Sequence, residues 1–399
     1  MSPSESVKSL PAIRLKPGAQ RRLGQGHPWA FSNEIAMDEA AKALAPGSLV
    51  RLLQDDGEAV GLALFNPRTL IAARLLTRSL KRPVDEGFLR ERIDRALGLR
   101  ARLFDEPYYR LVHAEADGLP GLVADRLGDT LVLEVNCAGM ERLERELLAA
   151  FESALGPERI LLKNDAPVRA LEGLALETRM AKGAFDGPME VRENGLAYLA
   201  DPAGGQKTGW FYDQRENRAF AARLARGARV LDAYSYTGGF ALLCAAAGAS
   251  RVVALDRSEG ALALLADAAR RNGLDVTGER GEAFAALEAM AGEKRSFDIV
   301  VVDPPAFVKS RKDLGAGTRA YRKLARLAAR LVAPGGILCA ASCSHLVSRE
   351  AFAAEIAAGL LAAGREGRIL RFSGAAPDHP VHAHLPETDY LKFMAVALD

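Results

Sequence analysis

The tightest constraint on this chain is the stretch from Val230 to Phe240, which reads Val-Leu-Asp-Ala-Tyr-Ser-Tyr-Thr-Gly-Gly-Phe. An apolar entry meets an acid, Asp232, then a turn of small residues with paired glycines, then the Ala/Leu-rich segment 241–247. Strand, glycine turn and helix start in that order predict the first crossover of a nucleotide-binding α/β sheet. Glycine lets the backbone approach a ligand that any Cβ would block. The next apolar run, 251–255, ends in Asp256. Such folds place an acid roughly 20 residues downstream of the turn, to hold ribose hydroxyls.

The turn is not the Gly-x-Gly-x-x-Gly of dinucleotide enzymes, because Ser235 and Thr237 occupy glycine slots. An acid ahead of the glycines suits S-adenosylmethionine, which carries a cationic amino group and no phosphate. Tyr234, Ser235, Thr237 and Gly238 then line the ligand cleft with Asp232, and Arg257 flanks Asp256. Taken alone, the stretch also fits a plain structural βα turn.

The chain has 399 residues, enough for two or three domains with buried cores. With 49% hydrophobic and 26% charged residues it is globular in composition. A formal charge of +2 means that any nucleic-acid surface is a local patch. Cys137, Cys244, Cys339 and Cys343 lack zinc spacing, no secretory segment precedes them, and no run approaches the roughly 18 apolar residues of a membrane helix. A cytoplasmic protein with no metal, no membrane contact and no DNA partner is expected; the oligomeric state is open, a homodimer among the options.

From Ile13 the sequence is short-stranded and basic, with Arg21, Arg22 and then Gly-His-Pro-Trp-Ala-Phe at 26–31. Between Asn66 and Pro83 lie Arg68, Arg74, Arg78, Lys81 and Arg82, and no carboxylate. Residues 10–82 read as a small β-barrel with one cationic face, where Arg21, Arg22, His27, Trp29 and Arg74 would meet RNA phosphates and bases. A solvated face with Trp29 in the core is the equal alternative. Residues 83–183 read as an α+β spacer or docking domain; His113 and Glu115 could form an acid/base pair, but packing explains them more cheaply.

Residues 184–399 carry the α/β sheet. The segment Gly204 to Trp210 tempts a phosphate-loop reading, but Gln206 stands where the glycine before the lysine belongs. Ser258 is the expected N-cap of a helix from Glu259 to Arg271. The β-branched run 299–302 predicts a strand buried on both faces that delivers Asp303-Pro304-Pro305 to the ligand-binding edge. The strand 337–341 delivers Ser342-Cys343-Ser344 to the same edge, and Lys309, Arg311 and Lys312 adjoin it as phosphate candidates. His379, His382 and His384 sit in a Pro/Ala loop without the bracing of a metal site.

An acid, a thiol and a methyl-donor pocket at one edge suggest methylation of a pyrimidine carbon. Cytosine C5 is too poor a nucleophile to attack a sulfonium directly. A thiolate adding to C6 makes C5 enamine-like, and an acid near N3 stabilises the adduct. Cys343 supplies the thiol and Asp303 the acid; a free cysteine titrates near 8.5, so some local lowering, or base capture from the substrate, is needed. Cys339, within the strand, is expected to be a packing residue.

These motifs together resemble the bacterial 23S ribosomal RNA large-subunit methyltransferase I group, S-adenosylmethionine-dependent enzymes that make 5-methylcytosine. The resemblance also rests on Glu115-Ala116-Asp117-Gly118-Leu119-Pro120-Gly121, Lys207-Thr208-Gly209, Asp213-Gln214-Arg215 and Asp378-His379-Pro380. It implies a PUA-like barrel, a small α+β domain and a Rossmann-like class I methyltransferase domain, with 23S ribosomal RNA as partner. It further implies Cys343 as nucleophile with Asp303 as its partner, and a cofactor pocket from Gln214, Arg215, Asp232, Asp256 and a third acid. That acid is Glu282, where aspartate is usual. Position 305 is proline, where another 5-methylcytosine group carries a second cysteine, so the base for the C5 proton is unassigned. The rivals are a guanine-nitrogen methyltransferase, which needs no cysteine, and a non-catalytic RNA-binding protein with a vestigial pocket.

Overall fold

The computed structural model describes residues 7–399, which divide into two compact units. The first runs to Gly187 and also takes in Asp201–Trp210 and Asp378–Pro386; the second comprises Pro188–Ala200, Phe211–Pro377 and Glu387–Asp399. Two segments that the sequence assigns to the last domain therefore pack with the first unit.

In the first unit, β1 (Ala12–Arg14), β2 (Trp29–Phe31), β3 (Ser48–Leu53), β4 (Ala59–Phe65) and β5 (Ile71–Thr77) form one sheet in the order β1-β3-β4-β5-β2. The β3–β4 hairpin turns at Gly57, whose φ of +94° favours glycine. A second sheet of β6 (Tyr108–His113), β7 (Leu122–Leu127), β8 (Thr130–Val135), β9 (Arg159–Asn164) and β10 (Glu177–Lys182) runs in the order β10-β9-β8-β7-β6. Helices α1 (Glu86–Arg100) and α2 (Glu144–Leu155) complete its core. Asp85 starts α1 by accepting from Phe88 N at 2.9 Å. Leu64 and Leu76 of the first sheet pack in one cluster with Leu89 and Ile93 of α1 and Leu133 of β8. The boundary proposed near residue 82 thus separates two modules of one compact unit.

One buried cation ties the unit together. Arg100 is 0% exposed and grips both oxygens of Asp117 at 2.6 and 2.8 Å, while also donating to the carbonyls of Arg110 and Asp378 at 2.9 Å each. The planar fork matches the carboxylate and reaches the Asp378 loop in the same gesture.

The second unit begins with the hairpin β11 (Met189–Glu193) and β12 (Leu196–Ala200), followed by α3 (Arg215–Arg223). Its main sheet uses β13 (Arg229–Ala233), β14 (Arg251–Asp256), β15 (Thr277–Arg280), β16 (Phe297–Val302), β17 (Val332–Ser342), β18 (Gly367–Ser373) and β19 (Lys392–Leu398). The order is β15-β14-β13-β16-β17-β19-β18, parallel except that β19 is antiparallel to both neighbours. Alternate residues feed two cores: Leu231, Val253, Val300 and Val302 one face, Val230, Val252, Ile299 and Val301 the other. This double burial explains the unbroken β-branched runs. The covering helices are α4 (Gly239–Ala246), α5 (Glu259–Arg271), α6 (Ala283–Gly292), α7 (Leu314–Ala329) and α8 (Arg349–Ala362). Ser258 accepts from Ala261 N at 3.2 Å, the cap that the sequence anticipates. No helix among the described residues is long and apolar enough to cross a membrane.

Arg100→Ala should leave the nearly buried Asp117 carboxylate unpaired and destabilise the first unit by about 3–5 kcal/mol in urea unfolding; a loss under about 1 kcal/mol would show the pair to be dispensable.

Candidate active site

Four adjacent parallel strands, β14, β13, β16 and β17, end at one edge of the sheet. Their carboxyl ends present Asp256, the turn after Ala233, Asp303 and Cys343 in that spatial order. Ligands bind at such an edge because the loops there are free to diverge.

The glycine turn is bent by three left-handed residues, Tyr234 (φ +64°), Tyr236 (φ +52°) and Gly238 (φ +89°). A Cβ on Gly238 would stand 2.7 Å from Leu265 Cγ, so glycine is required twice over, by conformation and by space. Asp232, 1% exposed, accepts from Ser235 Oγ at 2.7 Å and from Ala241 N at 3.0 Å, all through Oδ2. It therefore caps α4 as well as closing the turn. Its Oδ1 and the Oγ1 of Thr237 are buried without a hydrogen-bond partner. Burial pushes the Asp232 carboxyl up to about 7, against the pull of Ser235 and Ala241 N. Asp256 accepts from Tyr236 N at 2.9 Å and Ser258 N at 2.8 Å, which clamps the turn to the end of β14. Burial, then the charges of Glu282 and Asp256, push the Tyr234 phenol up. Glu282 and Arg257 are exposed. Two unsatisfied buried oxygens in a glycine cradle fit a ligand with a cationic amino acid end and hydroxyls, as S-adenosylmethionine has.

Asp303, half-buried at the end of β16, accepts from Gln214 Nε2 at 2.9 Å. Burial, then the charge of Asp213, push its carboxyl up to about 7. Gln214 is itself held by Asn217 Nδ2 at 2.7 Å, and Arg215 lies 3.8 Å from Glu193. Gln214 thus reaches the cleft by orienting Asp303. Cys343 is half-buried, whereas Cys137, Cys244 and Cys339 are buried. Its flanking serines are locked: Ser342 donates to Tyr321 Oη at 2.8 Å, Tyr321 Oη lies 2.8 Å from Ser344 Oγ, and Ser344 Oγ accepts from Val308 N at 3.1 Å. The last bond joins the thiol's loop to the loop that follows Asp303-Pro304-Pro305.

The expected RNA residues divide. Arg21 is exposed, as are Lys309, Arg311 and Lys312. Arg22 pairs with Glu34 at 2.6 Å and lies over Phe31, and His27 Nδ1 accepts from Trp29 N at 3.1 Å. Trp29 Nε1 donates to Glu115 at 2.7 Å, and Arg74 bridges Glu115 at 2.8 Å and Glu172 at 3.3 Å. Trp29 and Arg74 therefore serve the interior of the first unit, where the buried carboxylates of Glu115 and Glu172 need donors; Arg22 is half-buried on Glu34, and His27 is buried beside Trp29. Among the described residues, no three His, Cys, Asp or Glu side chains gather as a metal site would require.

The S-adenosylmethionine-dependent methyltransferase family model matches residues 151–365, and a PUA-like domain model matches residues 13–78. The chain is 36% identical over 387 residues to a ribosomal RNA large subunit methyltransferase I of Shewanella denitrificans, covering 95% of this chain and 97% of that one. A counterpart in Aeromonas salmonicida is also 36% identical, with 96% and 98% covered. The chain belongs to the ribosomal RNA large subunit methyltransferase I family. The fold agrees with the solved structure of SMU.776 complexed with SAH, at a TM-score of 0.83 and 19% identity over 97% of this chain. The α/β methyltransferase fold, the PUA-like domain and the S-adenosylmethionine cofactor follow from this membership.

Within that family frame, two site residues escape a reading of the sequence. Tyr321 sits mid-helix in α7 and bridges the two serines. Lys392, near the start of the last strand, carries no mark of a site in its sequence neighbourhood, yet it is 1% exposed and donates to the carbonyl of Ser344, next to Cys343. Only the β17–β19 pairing, Ser342 opposite Lys392, reveals it. Tyr321→Phe should leave Ser342 and Ser344 short of a buried partner and cost about 1–3 kcal/mol in chemical unfolding. An unchanged midpoint would mean that the serines re-pair without it.

Proposed function

We propose that this chain methylates C5 of a cytosine in 23S ribosomal RNA, with Cys343 as nucleophile and Asp303 as acid, in the cytoplasm where ribosomes are assembled. The observation that carries the reading is the adjacency of Asp303 and Cys343 at neighbouring strand ends, joined through Ser344 and Val308. Asp232, Thr237, Gly238, Asp256 and Glu282 would hold the cofactor, with Tyr234 and Ser235 shaping the turn. Bound S-adenosylmethionine supplies an electrophilic methyl group on sulfur. Cys343 adds to C6, and Asp303, whose carboxyl keeps its proton near neutrality, is placed to donate to N3 as charge builds there. Gln214, donating to one Asp303 oxygen, holds that carboxyl in place. Exposed Arg21 in the PUA-like module, with Lys309, Arg311 and Lys312 beside the catalytic loop, supplies phosphate contacts.

RNA carrying 5-fluorocytidine at the target should trap the enzyme when cofactor is present, because fluorine cannot leave as a proton does. A denaturation-resistant protein–RNA adduct is expected. Cys343→Ala should abolish adduct and methylation while still binding the cofactor. Methylation by Cys343→Ala would sink the covalent reading in favour of a nitrogen methyltransferase.

Cofactor affinity should depend on pH through Asp232. Below about pH 7 its buried carboxyl holds a proton. A cationic amino group favours the ionised form, so binding must expel that proton. Affinity should therefore fall as pH drops below 7, by up to about tenfold per unit, and level off above it. Calorimetry should show proton release near pH 6 that Asp232→Asn removes; an affinity flat from pH 6 to 8 would take Asp232 out of the site.

A further inference from the structure

The proposed mechanism requires a thiolate, and the structure places an unexpected cation next to the thiol. Lys392 is 1% exposed. Its Nζ donates to Ser344 O at 2.7 Å and to Tyr390 O at 2.8 Å. Across the ladder its register partner is Ser342. The residue before Cys343 is thus its strand partner, and the residue after Cys343 accepts its hydrogen bond. Among the described residues, its third N–H meets no acceptor. A lysine that merely closed the strand end would carry its charge to water, whereas Lys392 is buried on the carbonyl of the residue after Cys343.

We propose that the Lys392 ammonium stabilises the thiolate of Cys343, so that the half-buried thiol releases its proton to bulk water near neutrality. The S–H bond breaks, the proton passes to water at the half-buried thiol, and the electron pair stays on sulfur beside the ammonium. That pair then makes the S–C6 bond to cytosine, while the C5–C6 π electrons move toward N3, where the Asp303 proton ends. Burial pushes the Lys392 ammonium down to about 8, and the charges of Cys343 and Asp389 act to raise it while Arg349 of α8 lowers it. Below about pH 8 the group is therefore chiefly the ammonium, the form that a neighbouring thiolate needs. The other groups that face this corner are the Tyr321 phenol, which burial pushes up, and Tyr390, whose hydroxyl donates to Asp213 at 2.5 Å. Neither brings a positive charge.

This role rests on Cys343 as nucleophile, yet it can be read without any methyl transfer. Iodoacetamide labelling of Cys343 in the full-length protein, followed by mass spectrometry from pH 5.5 to 9.5, reports the thiolate directly. The other three thiols are buried, and burial pushes each of them up, Cys137 to about 11 and Cys339 to about 12. The wild-type rate should inflect below the free-cysteine value of about 8.5. Lys392→Met should move the inflection up by about one unit or more, cutting the rate at pH 7 about tenfold. Lys392→Arg should restore most of it, and both variants should keep wild-type cofactor affinity. A wild-type inflection at or above about 8.5 overturns the proposal whatever the variants do. So does a Lys392→Met protein that binds cofactor and keeps the wild-type profile, or a Lys392→Arg protein as slow as Lys392→Met. Should Lys392→Met fail to fold, Lys392→Gln gives the same comparison. Methylation by Cys343→Ala would defeat the covalent reading alone, leaving the labelling profile to judge Lys392.

Discussion

Everything at the site depends on the parallel register of β13, β14, β16 and β17. Parallel strands about 4.8 Å apart that share a direction must end on the same side, so one hydrogen-bond ladder brings Asp256, Asp303 and Cys343 to one edge from positions scattered along the chain. Val302 opposite Ala340 sets how far the thiol projects beyond the acid. A one-residue slip would turn Cys339 and Cys343 to the wrong faces and break both cores at once. The apolar alternation that fills those cores is therefore also what aligns the candidate site residues.

The central fold was legible because its signals are local. The glycine turn, the β-branched run before Asp303 and the serine cap of α5 each announce an element within a few residues. Cys339 and Cys343 could be told apart by position alone: one lies inside a strand, the other just past its end. What escaped depends on contacts that sequence spacing does not encode. Arg74 and Trp29 looked like an RNA face because basic residues crowd both segments and no carboxylate lies between Asn66 and Pro83. Their partners, Glu115 and Glu172, arrive from the neighbouring module. Lys392 was invisible for the same reason, since its surroundings come from a strand pairing that reverses direction.

Asp232 illustrates a residue whose two jobs cannot be separated by inspection of either one. By accepting from Ala241 N it satisfies a helix start that has no serine or threonine cap. By accepting from Ser235 it fixes the glycine turn. Both bonds use one oxygen, so the other is left buried and unsatisfied. A purely structural cap would have no reason to carry that cost, because an asparagine or serine makes the same bonds without burying a carboxylate.

Burial of charge takes two forms in this chain. Arg100 and Asp117 show how this chain buries charge when stability is the purpose: a bidentate pair with the remaining donors satisfied by carbonyls. Asp232, Asp303 and Lys392 are buried differently. Each is pushed toward its neutral form, and none has an opposite charge in a matched pair. Groups held near the midpoint of their titration at neutral pH can gain or lose a proton cheaply, which a structural pair cannot do. Three such groups at one sheet edge are poorly explained as packing. They match what the proposed reaction asks of its site, which must hold a cationic ligand, protonate a base and ionise a nucleophile.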